Sequence, residues 1–269
     1  MVVLDKGLSV ALNARIIGSG DESLILAHGY GGDQSLWDKI LPYLTERYRV
    51  LVFDWNFSGS VEDQNLFDPI KHSSFQAFAN DLITLIDENN LKSSVFLGHS
   101  FSGMVGCIAS IKRPDLFQKL ILLGASPRYL NSEDYKGGLE SSEIEQIISN
   151  IESNFHTWAS NFAVLAVNAN DHISAEKFQK SLGRMKPEVA LSMAKTIFYS
   201  DERDVLEKVQ VPCTIIQTTN DMVAPVSVAY YMQKKIKGKS TVELIEADGH
   251  FPQLTVPELL LNVLDGVLG

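Results

Sequence analysis

Short runs of apolar residues, separated by intervals long enough for a helix, constrain the fold of this chain more than any other feature. The runs are apolar throughout rather than alternating, which is typical of strands covered on both faces. Such spacing leaves room for crossover helices between parallel strands. The pattern therefore predicts an α/β fold, a mostly parallel sheet with helices on both faces, whose strands are residues 24–27, 50–53, 95–97, 120–123, 211–217 and 241–245.

The interval 131–200 has no strand-like run and shows clear helical periodicity. We expect it to be a helical lid, inserted above the sheet edge into one core domain made of residues 1–130 and 201–269. The periodic apolar residues are Ile144, Ile147, Ile148 and Ile151, followed by Phe155, Trp158 and Phe162.

Charge divides the predicted lid into two halves. Residues 133–152 hold six acids and one base, whereas residues 177–195 hold five bases and one acid. Two solvated faces would explain this division, and a surface that docks a partner is the functional alternative.

The composition excludes several classes of protein and partner. The 269 residues are 45% hydrophobic and carry a formal net charge of −10, which fits a globular acidic chain and excludes a disordered one. Because an acidic surface repels phosphate backbones and anionic lipids, we expect neither nucleic acid nor membrane as a partner. Cys107 and Cys213 lie in apolar stretches and are predicted to be buried free thiols, which fits an intracellular protein.

The segment VFLGHSFSGM joins a predicted strand to a helix that begins near Phe101. A serine nucleophile on such a sharp turn needs small residues two positions before and two positions after it. Gly98 and Ser102 hold these places around Ser100, although the usual pattern has glycine at the later one. Ser100 is therefore the candidate nucleophile.

A serine needs a histidine base, and the base needs a carboxylate that orients it. Of the six histidines, His250 follows the last predicted strand, where a loop could reach Ser100. Asp221 follows the strand before it, and Asp248 is the rival acid, which fits a turn better. The chain order Ser100, Asp221, His250 is that of one triad lineage among three. Because the residue at the strand-to-helix turn is Ser100, an aspartate nucleophile is excluded, and this chemistry requires no metal and no organic cofactor.

The glycine turn His28-Gly29-Tyr30-Gly31-Gly32 follows the first predicted strand. We expect the backbone N–H groups of Tyr30 and Phe101 to form an oxyanion hole. The rival interpretation is a nucleotide-binding loop with Asp54 as the ribose acid, but the glycine spacing does not match that motif.

These motifs resemble those of the plant butenolide receptors among the α/β-hydrolases, the DWARF-fourteen strigolactone receptors and the karrikin receptors, along with their bacterial stress-regulator relative. The resemblance runs through HGYGG, GHSFSGM, SIKRPDLF, LGASPRYLNSEDYKGG, VPCTIIQ and GHFPQLT. The segments DWNFSGS, SGM and MKPEVALSMAKTIFYSDERD are most similar to the DWARF-fourteen-like-two branch.

The resemblance implies an α/β-hydrolase fold with a four-helix lid over an apolar pocket. It further implies cleavage of an enol ether attached to a butenolide ring, with a fragment retained on the histidine. It also implies two protein partners, a leucine-rich-repeat F-box protein and a transcriptional repressor, and a cytoplasmic and nuclear location. Matched by position, the residues that line the pocket are Tyr30, Tyr129, Trp158, Phe162, Ile197, Phe198 and Val223.

Two positions depart from the receptors of this family. Phe101 and Gly103 stand where those receptors usually have valine and alanine, and Phe101 is expected to add bulk beside the nucleophile. Two hypotheses follow from the sequence. The protein is a serine hydrolase acting on a small, mostly apolar ester or enol ether, or it is a signalling receptor in which hydrolysis is slow and ligand occupancy changes the lid.

Overall fold

One sheet organises the computed structural model, which describes residues 7–269. Residues 1–6, the start of the predicted core range, lie outside the described residues. The strands are β1 (Arg15–Ile17), β2 (Glu22–Ala27), β3 (Tyr48–Val52), β4 (Ser94–His99), β5 (Phe117–Leu123), β6 (Cys213–Asn220) and β7 (Ser240–Asp248). Their order across the sheet is β1-β3-β2-β4-β5-β6-β7, with β1 antiparallel to β3 and the other neighbouring strands parallel.

Helices cover both faces of the sheet, so the predicted fold class is confirmed. Alternate strand residues enter opposite cores: Leu24 and Leu26 pack with helices at 41–45 and 257–268, whereas Ile25 packs with helices at 75–88 and 101–112. Burial on both faces is why these strands are apolar throughout. The helices are α1 (Leu8–Ala11), α2 (Leu41–Thr45), α3 (Phe75–Glu88), α4 (Phe101–Lys112), α5 (Ser141–Val167), α6 (His172–Leu182), α7 (Pro187–Phe198), α8 (Arg203–Leu206), α9 (Val226–Lys235), α10 (Pro252–Thr255) and α11 (Pro257–Leu268).

Strand β1 is the part of the sheet that the sequence pattern did not predict. It has only three residues, lies at the sheet edge and is exposed at Arg15, so it carries no apolar run. Each of the six predicted strands overlaps a strand of the sheet. Cys107 and Cys213 are buried free thiols, as predicted, and burial raises the pKa of both.

Three helices, α5, α6 and α7, lie between β5 and β6 and fall inside the interval 131–200. Helix α5 begins with a capping box, in which Glu140 and Glu143 satisfy each other's backbone N–H groups. It is broken at Asn154, whose φ of −157° and ψ of 82° are not helical. The Asn154 side chain accepts a hydrogen bond from the Thr157 N–H at 3.1 Å and so caps the second half of the helix.

No helix within residues 7–269 combines the length and the apolar composition that a membrane crossing requires.

Two basic residues of the second half of the predicted lid form ion pairs with the sheet domain. Lys177 pairs with Asp38 at 2.8 Å, and Arg184 pairs with Asp33, so these two bases attach α6 and its following turn to the sheet domain.

Asp33 is the centre of this attachment. Its carboxylate is almost fully buried and accepts hydrogen bonds from the Ser35 N–H at 2.8 Å and the Ser181 hydroxyl at 2.7 Å, in addition to the Arg184 contact. Burial alone would raise its pKa, but the hydrogen bonds from Ser35 and Ser181 outweigh burial and lower the pKa to about 2. The ionised carboxylate therefore stabilises the packing of α6 on the core.

Replacing this carboxylate should cost stability in a pH-dependent way. At pH 7 we expect Asp33→Asn to lower the free energy of unfolding by about 1–2 kcal/mol, measured by urea unfolding. Because the pKa is about 2 in the folded protein and 3.8 in the reference state, this contribution is present above about pH 4 and is lost as the pH falls through 2.

The control for Asp33→Asn is Asp38→Asn, which removes the half-exposed partner of Lys177. Since exposed ion pairs contribute only about 0–1 kcal/mol, this variant should cost clearly less. An equal cost in the two variants, or a cost for Asp33→Asn that is the same at pH 7 and pH 3, would contradict the role given to Asp33.

Candidate active site

Ser100 lies at the junction of β4 and α4, and α4 begins at Phe101, as predicted. Its φ of +58° is rare for a residue with a side chain, and its N–H donates to the Leu123 carbonyl of β5 at 2.8 Å. Backbone strain of this kind is typical of a serine that is presented at the top of a sheet.

Ser102, the departure from the usual glycine, has a structural use. It is fully buried, and its hydroxyl donates to the His28 carbonyl at 2.6 Å while accepting from the Trp55 indole N–H at 2.9 Å. The hydroxyl therefore ties α4 to the turn that follows β2. Serine is small enough for this position, and its hydroxyl also links the turn at Ser100 to the turn that carries Tyr30.

Two backbone donors lie where these turns approach each other. A Cβ atom placed on Gly29 would lie 3.0 Å from the Ser100 Cβ and 2.9 Å from the His99 Nδ1, so glycine is required for this approach. Among the described residues, the N–H groups of Tyr30 and Phe101 have no hydrogen-bond acceptor. The Phe101 N–H also belongs to the first turn of α4, where the helix dipole favours negative charge.

Asp221 and His250 form a tight buried pair. His250 Nδ1 lies 2.6 Å from Asp221 Oδ2, which also accepts from the Gln217 amide at 2.9 Å. The other carboxylate oxygen accepts from the N–H groups of Val223 and Ala224 at 2.7 and 3.2 Å. Burial alone would raise the pKa of Asp221, but His250 and these hydrogen bonds lower it. Asp221 is thus an ionised carboxylate that holds the Nδ1 side of the ring.

The rival acid Asp248 does not contact the His250 ring. It accepts a hydrogen bond from the Asn220 side chain at 2.7 Å, at the end of the β6–β7 pairing. Asp54, the acid of the nucleotide-loop interpretation, accepts from Asn13 at 2.9 Å and from the Gln34 N–H at 2.8 Å. Both acids therefore form hydrogen bonds that hold neighbouring segments of the chain together, and neither is bonded to the His250 ring.

The backbone of His250 is held from two sides. Its N–H donates to the Ala166 carbonyl, in the last turn of α5, at 2.7 Å. Its carbonyl accepts from His99 Nε2 at 2.8 Å, and burial lowers the pKa of His99 to about 3, so that ring is neutral. A Cβ on Gly249, whose φ is +89°, would lie 1.6 Å from the Val167 carbonyl oxygen. Helix α5 and the loop of the histidine therefore meet backbone to backbone.

Ser100 and His250 line one small cavity, here called the inner cavity. The Ser100 hydroxyl lies 3.4 Å from the Tyr129 hydroxyl, and burial raises the pKa of Tyr129, which keeps that hydroxyl protonated. His250 Nε2 is buried and has no hydrogen-bond partner among the described residues. The nitrogen that a general base would use is thus free, and the two residues line the same cavity.

The inner cavity is very small. Its volume of about 20 Å³ is close to the space that one water molecule needs. Of the residues matched to the pocket by resemblance, six line it, namely Tyr30, Tyr129, Phe162, Ile197, Phe198 and Val223. Three more residues line the cavity that the resemblance did not indicate, and two of them are sequence neighbours of Ser100 and His250; they are His99, Phe178 and Phe251.

A second, much larger space lies beside it, here called the outer groove. It has a volume of about 530 Å³ and is lined by residues of both halves of α5, with Leu139, Phe198, Met222 and Val223. Trp158, matched to the pocket by resemblance, lines the outer groove only. Phe162, Phe198 and Val223 line both spaces, and these three residues are called the wall. The expected single pocket is therefore divided in two.

Phe101 does not add bulk beside the nucleophile, contrary to the expectation from the sequence. Its side chain is fully buried, and its ring lies 5.6–6.0 Å from the rings of Trp55, Phe57, Phe75 and Phe78. It packs in this aromatic cluster because α4 directs it into the core rather than into the inner cavity. Only its backbone N–H is available to the site.

Within residues 7–269, no group of three or more His, Cys, Asp or Glu side chains is arranged to hold a metal ion. His72, one of the histidines set aside, is buried and pairs with Asp81 at 2.9 Å near the start of α3. His28 bonds the Trp55 N–H and the Gly29 carbonyl. Neither lines the inner cavity.

Comparison with known proteins places this geometry in a family. Residues 22–257 match the family described as alpha/beta hydrolase fold. The chain belongs to the alpha/beta hydrolase family. It is 44% identical over 254 residues to the strigolactone esterase of Arabidopsis thaliana, covering 94% of this chain and 95% of that one. It is 42% identical over 258 residues to the karrikin insensitive 2 receptor IA of Petunia hybrida, covering 96% and 94%. Within the alpha/beta hydrolases, the chain thus lies in the branch of these butenolide-related proteins, as the motifs predicted.

Among solved structures, a hydrolase from Oleispira antarctica has the same fold. It superposes with a TM-score of 0.92 at 31% identity and covers 97% of this chain and 95% of that one. An esterase from Exiguobacterium antarcticum, at 22% identity and a TM-score of 0.86, shares the alpha/beta hydrolase fold.

Removing one ring of the wall should join the two spaces. We expect a crystal structure of Phe198→Ala to show one continuous cavity from the outer groove to Ser100. We also expect the kcat/KM for para-nitrophenyl butyrate to rise severalfold relative to para-nitrophenyl acetate, because the longer acyl group then fits.

The matched control is Phe155→Ala, which removes a buried α5 ring that lines neither space. This variant should lose stability, by about 3–5 kcal/mol at most, without changing the ratio of the two esters. A Phe198→Ala structure with two separate spaces, or the same change of ratio in both variants, would show that Phe198 does not separate them.

Proposed function

We propose that this protein is a serine hydrolase of neutral esters or enol ethers, with Ser100 as nucleophile, His250 as general base and Asp221 as the group that orients His250. The observation that carries the proposal is the 2.6 Å contact of Asp221 with His250 Nδ1, which leaves the buried Nε2 free in a residue that lines the same cavity as Ser100. The same carboxylate stabilises the imidazolium that forms during the reaction.

The reaction proceeds through two displacements. With an ester as substrate, the Ser100 oxygen attacks the acyl carbon as its proton passes to His250 Nε2, and the Tyr30 and Phe101 N–H groups stabilise the negative oxygen that develops. The tetrahedral intermediate then expels the alcohol, which takes the proton from His250. Water, deprotonated by the same nitrogen, attacks the acyl-enzyme, and the Ser100 oxygen takes the proton back from His250 as the acid leaves. Each oxyanion donor is worth about 3 kcal/mol of transition-state stabilisation.

Residues 131–200 act as a lid in this proposal. Helices α5 and α7 supply Phe162, Ile197 and Phe198 to the inner cavity, and the wall excludes bulk water from Ser100. A substrate reaches the serine only when the wall side chains move, since the inner cavity holds about one water molecule. The names of the relatives support a butenolide such as a strigolactone or a karrikin-like compound as ligand.

Ser100→Ala should abolish hydrolysis of para-nitrophenyl acetate while the circular dichroism spectrum and melting temperature stay close to those of the parent. We expect a loss of at least about 10³-fold in kcat, because the nucleophile has no substitute. Ser110→Ala is the matched control: Ser110 is a buried serine of α4 whose hydroxyl donates to the Cys107 carbonyl at 2.8 Å, and its loss should leave the rate unchanged. Undiminished hydrolysis by Ser100→Ala would refute the assignment.

The second candidate function is a signalling receptor that hydrolyses its ligand slowly. One contact favours it: the His250 N–H is bonded to the Ala166 carbonyl of α5, so a change in the lid and a change at the base are mechanically coupled. The receptor name of a relative supports it as well. A leucine-rich-repeat F-box protein and a transcriptional repressor are the partners proposed for this role, in the cytoplasm and nucleus.

Intact-mass spectrometry and thermal shift with a synthetic butenolide enol ether distinguish the two candidates. The receptor hypothesis expects slow turnover, a retained ring fragment that is absent from His250→Ala, and a shifted melting temperature. Fast multiple turnover, with no retained mass and no shift of the melting temperature, would contradict the receptor hypothesis and support the hydrolase hypothesis. Ser100→Ala serves as the control, since it should bind without adduct formation.

A further inference from the structure

We propose that the Tyr30 side chain is a positioning group whose hydroxyl holds the lid helix α7 against the turn that supplies an oxyanion donor. This bond limits the size of the acyl group that can react at Ser100. The inference rests on the proposed function, because it assumes that the reaction takes place at Ser100. The turn, residues 28–32, is here called the oxyanion turn.

The oxyanion turn contacts each of the three lid helices. The Tyr30 ring lies 6.4 Å from the Trp158 ring of α5. The next residue is Gly31, whose φ is +73°, and a Cβ placed there would lie 2.6 Å from Leu182 Cδ1 of α6. The Tyr30 hydroxyl donates to the Ala190 carbonyl of α7 at 2.9 Å. One short turn therefore touches all three helices of the lid.

The bond to Ala190 differs in kind from the other two contacts. The contacts with Trp158 and Leu182 are apolar, and the hydrophobic effect has no preferred direction. A hydrogen bond requires a short distance and an aligned donor, so it fixes the position of α7 more narrowly. Tyr30 is buried, and burial raises the pKa of its hydroxyl, which therefore stays protonated and remains a donor.

Helix α7 is joined to the sheet domain by fewer polar contacts than α6. Helix α6 is held by the Ser181 bond to Asp33 and by the Lys177 pair with Asp38. Within residues 7–269, the bond from Tyr30 is the only hydrogen bond or ion pair between α7 and the sheet domain. Loss of the Tyr30 hydroxyl would therefore leave α7 attached to this domain by apolar packing alone.

Fixing α7 at Ala190 also fixes the residues at the end of the helix. Ile197 and Phe198 lie two turns further along α7, at a distance of about 10–12 Å by the rise of an α-helix. Both residues line the inner cavity, as Tyr30 does, and Phe198 belongs to the wall. The hydroxyl of Tyr30 therefore controls how far these side chains lie from the oxyanion turn.

A larger acyl group needs α7 to move. The inner cavity has a volume of about 20 Å³, so a longer acyl chain at Ser100 displaces Ile197 or Phe198. A shift of α7 away from the oxyanion turn breaks the bond between Tyr30 and Ala190. The free energy of that bond is therefore lost with a large acyl group and kept with a small one.

Tyr30→Phe removes the hydroxyl and keeps the ring and the backbone N–H. We expect the backbone amides of α7 to exchange with deuterium about fivefold faster than in the parent, and those of α6 to exchange at the parent rate. The measurement is hydrogen exchange followed by mass spectrometry of peptides from residues 172–182 and 187–198. We also expect the ratio of kcat/KM for para-nitrophenyl butyrate to that for para-nitrophenyl acetate to rise about fivefold.

The matched control is Tyr135→Phe. Tyr135 is also buried, its hydroxyl donates to the Arg128 carbonyl at 3.0 Å, and it lines neither the inner cavity nor the outer groove. This variant loses a hydrogen bond of the same kind at another place. The exchange of α7 and the ratio of the two esters should therefore equal those of the parent.

An ester ratio in Tyr30→Phe equal to that of the parent, or exchange of α7 no faster than in Tyr135→Phe, overturns the inference. Ser100→Ala tests the proposed function separately. If Ser100→Ala still hydrolyses both esters, the proposed function is wrong, whereas hydrogen exchange reports on the Tyr30 bond without any reaction. If hydrolysis depends on Ser100 and the ratio is the same in Tyr30→Phe and the parent, only this inference fails.

Discussion

The close approach of separate backbone segments around Ser100 and His250 is the constraint on which the rest of the structure depends. The turn after β2 reaches the Ser100 Cβ so closely that a Cβ on Gly29 would lie 3.0 Å away, and the loop of His250 meets the end of α5 at Gly249. Neither approach tolerates a side chain. The parallel sheet brings the carboxyl ends of β2, β4, β5 and β6 to one edge, which makes these contacts geometrically available.

Side chains then convert this proximity into a defined site. The Ser102 hydroxyl bonds the His28 carbonyl and so fixes the turn of Tyr30 against the turn of Ser100. The Asp221 carboxylate bonds two backbone N–H groups, the Gln217 amide and His250, so its position leaves the histidine ring one orientation. The buried Asp33 carboxylate fixes α6 in a similar way, because it accepts a hydrogen bond from Ser181 and pairs with Arg184.

Much of the fold could be predicted from the sequence, because strands buried on both faces leave unbroken apolar runs and glycine turns mark their ends. The candidate triad could be predicted for the same reason: each member follows a strand whose carboxyl end lies at one edge. Strand β1 could not be predicted, since one exposed and two half-buried residues carry no such signal. The buried orientation of Phe101 also could not, because it is fixed by Trp55, Phe57, Phe75 and Phe78, which lie far from it in sequence. The division of the pocket results from side-chain packing between α5, α7 and the loop after Asp221. Sequence spacing carries no information about this packing.

The wall has a consequence for how proteins of this kind diversify. Because Phe162, Phe198 and Val223 line both the inner cavity and the outer groove, a substitution at any of them changes the lining of both spaces. A smaller residue that admits a larger reacting group also removes surface against which the remainder of the ligand packs. Ligand preference and reaction rate are therefore linked traits at these three positions.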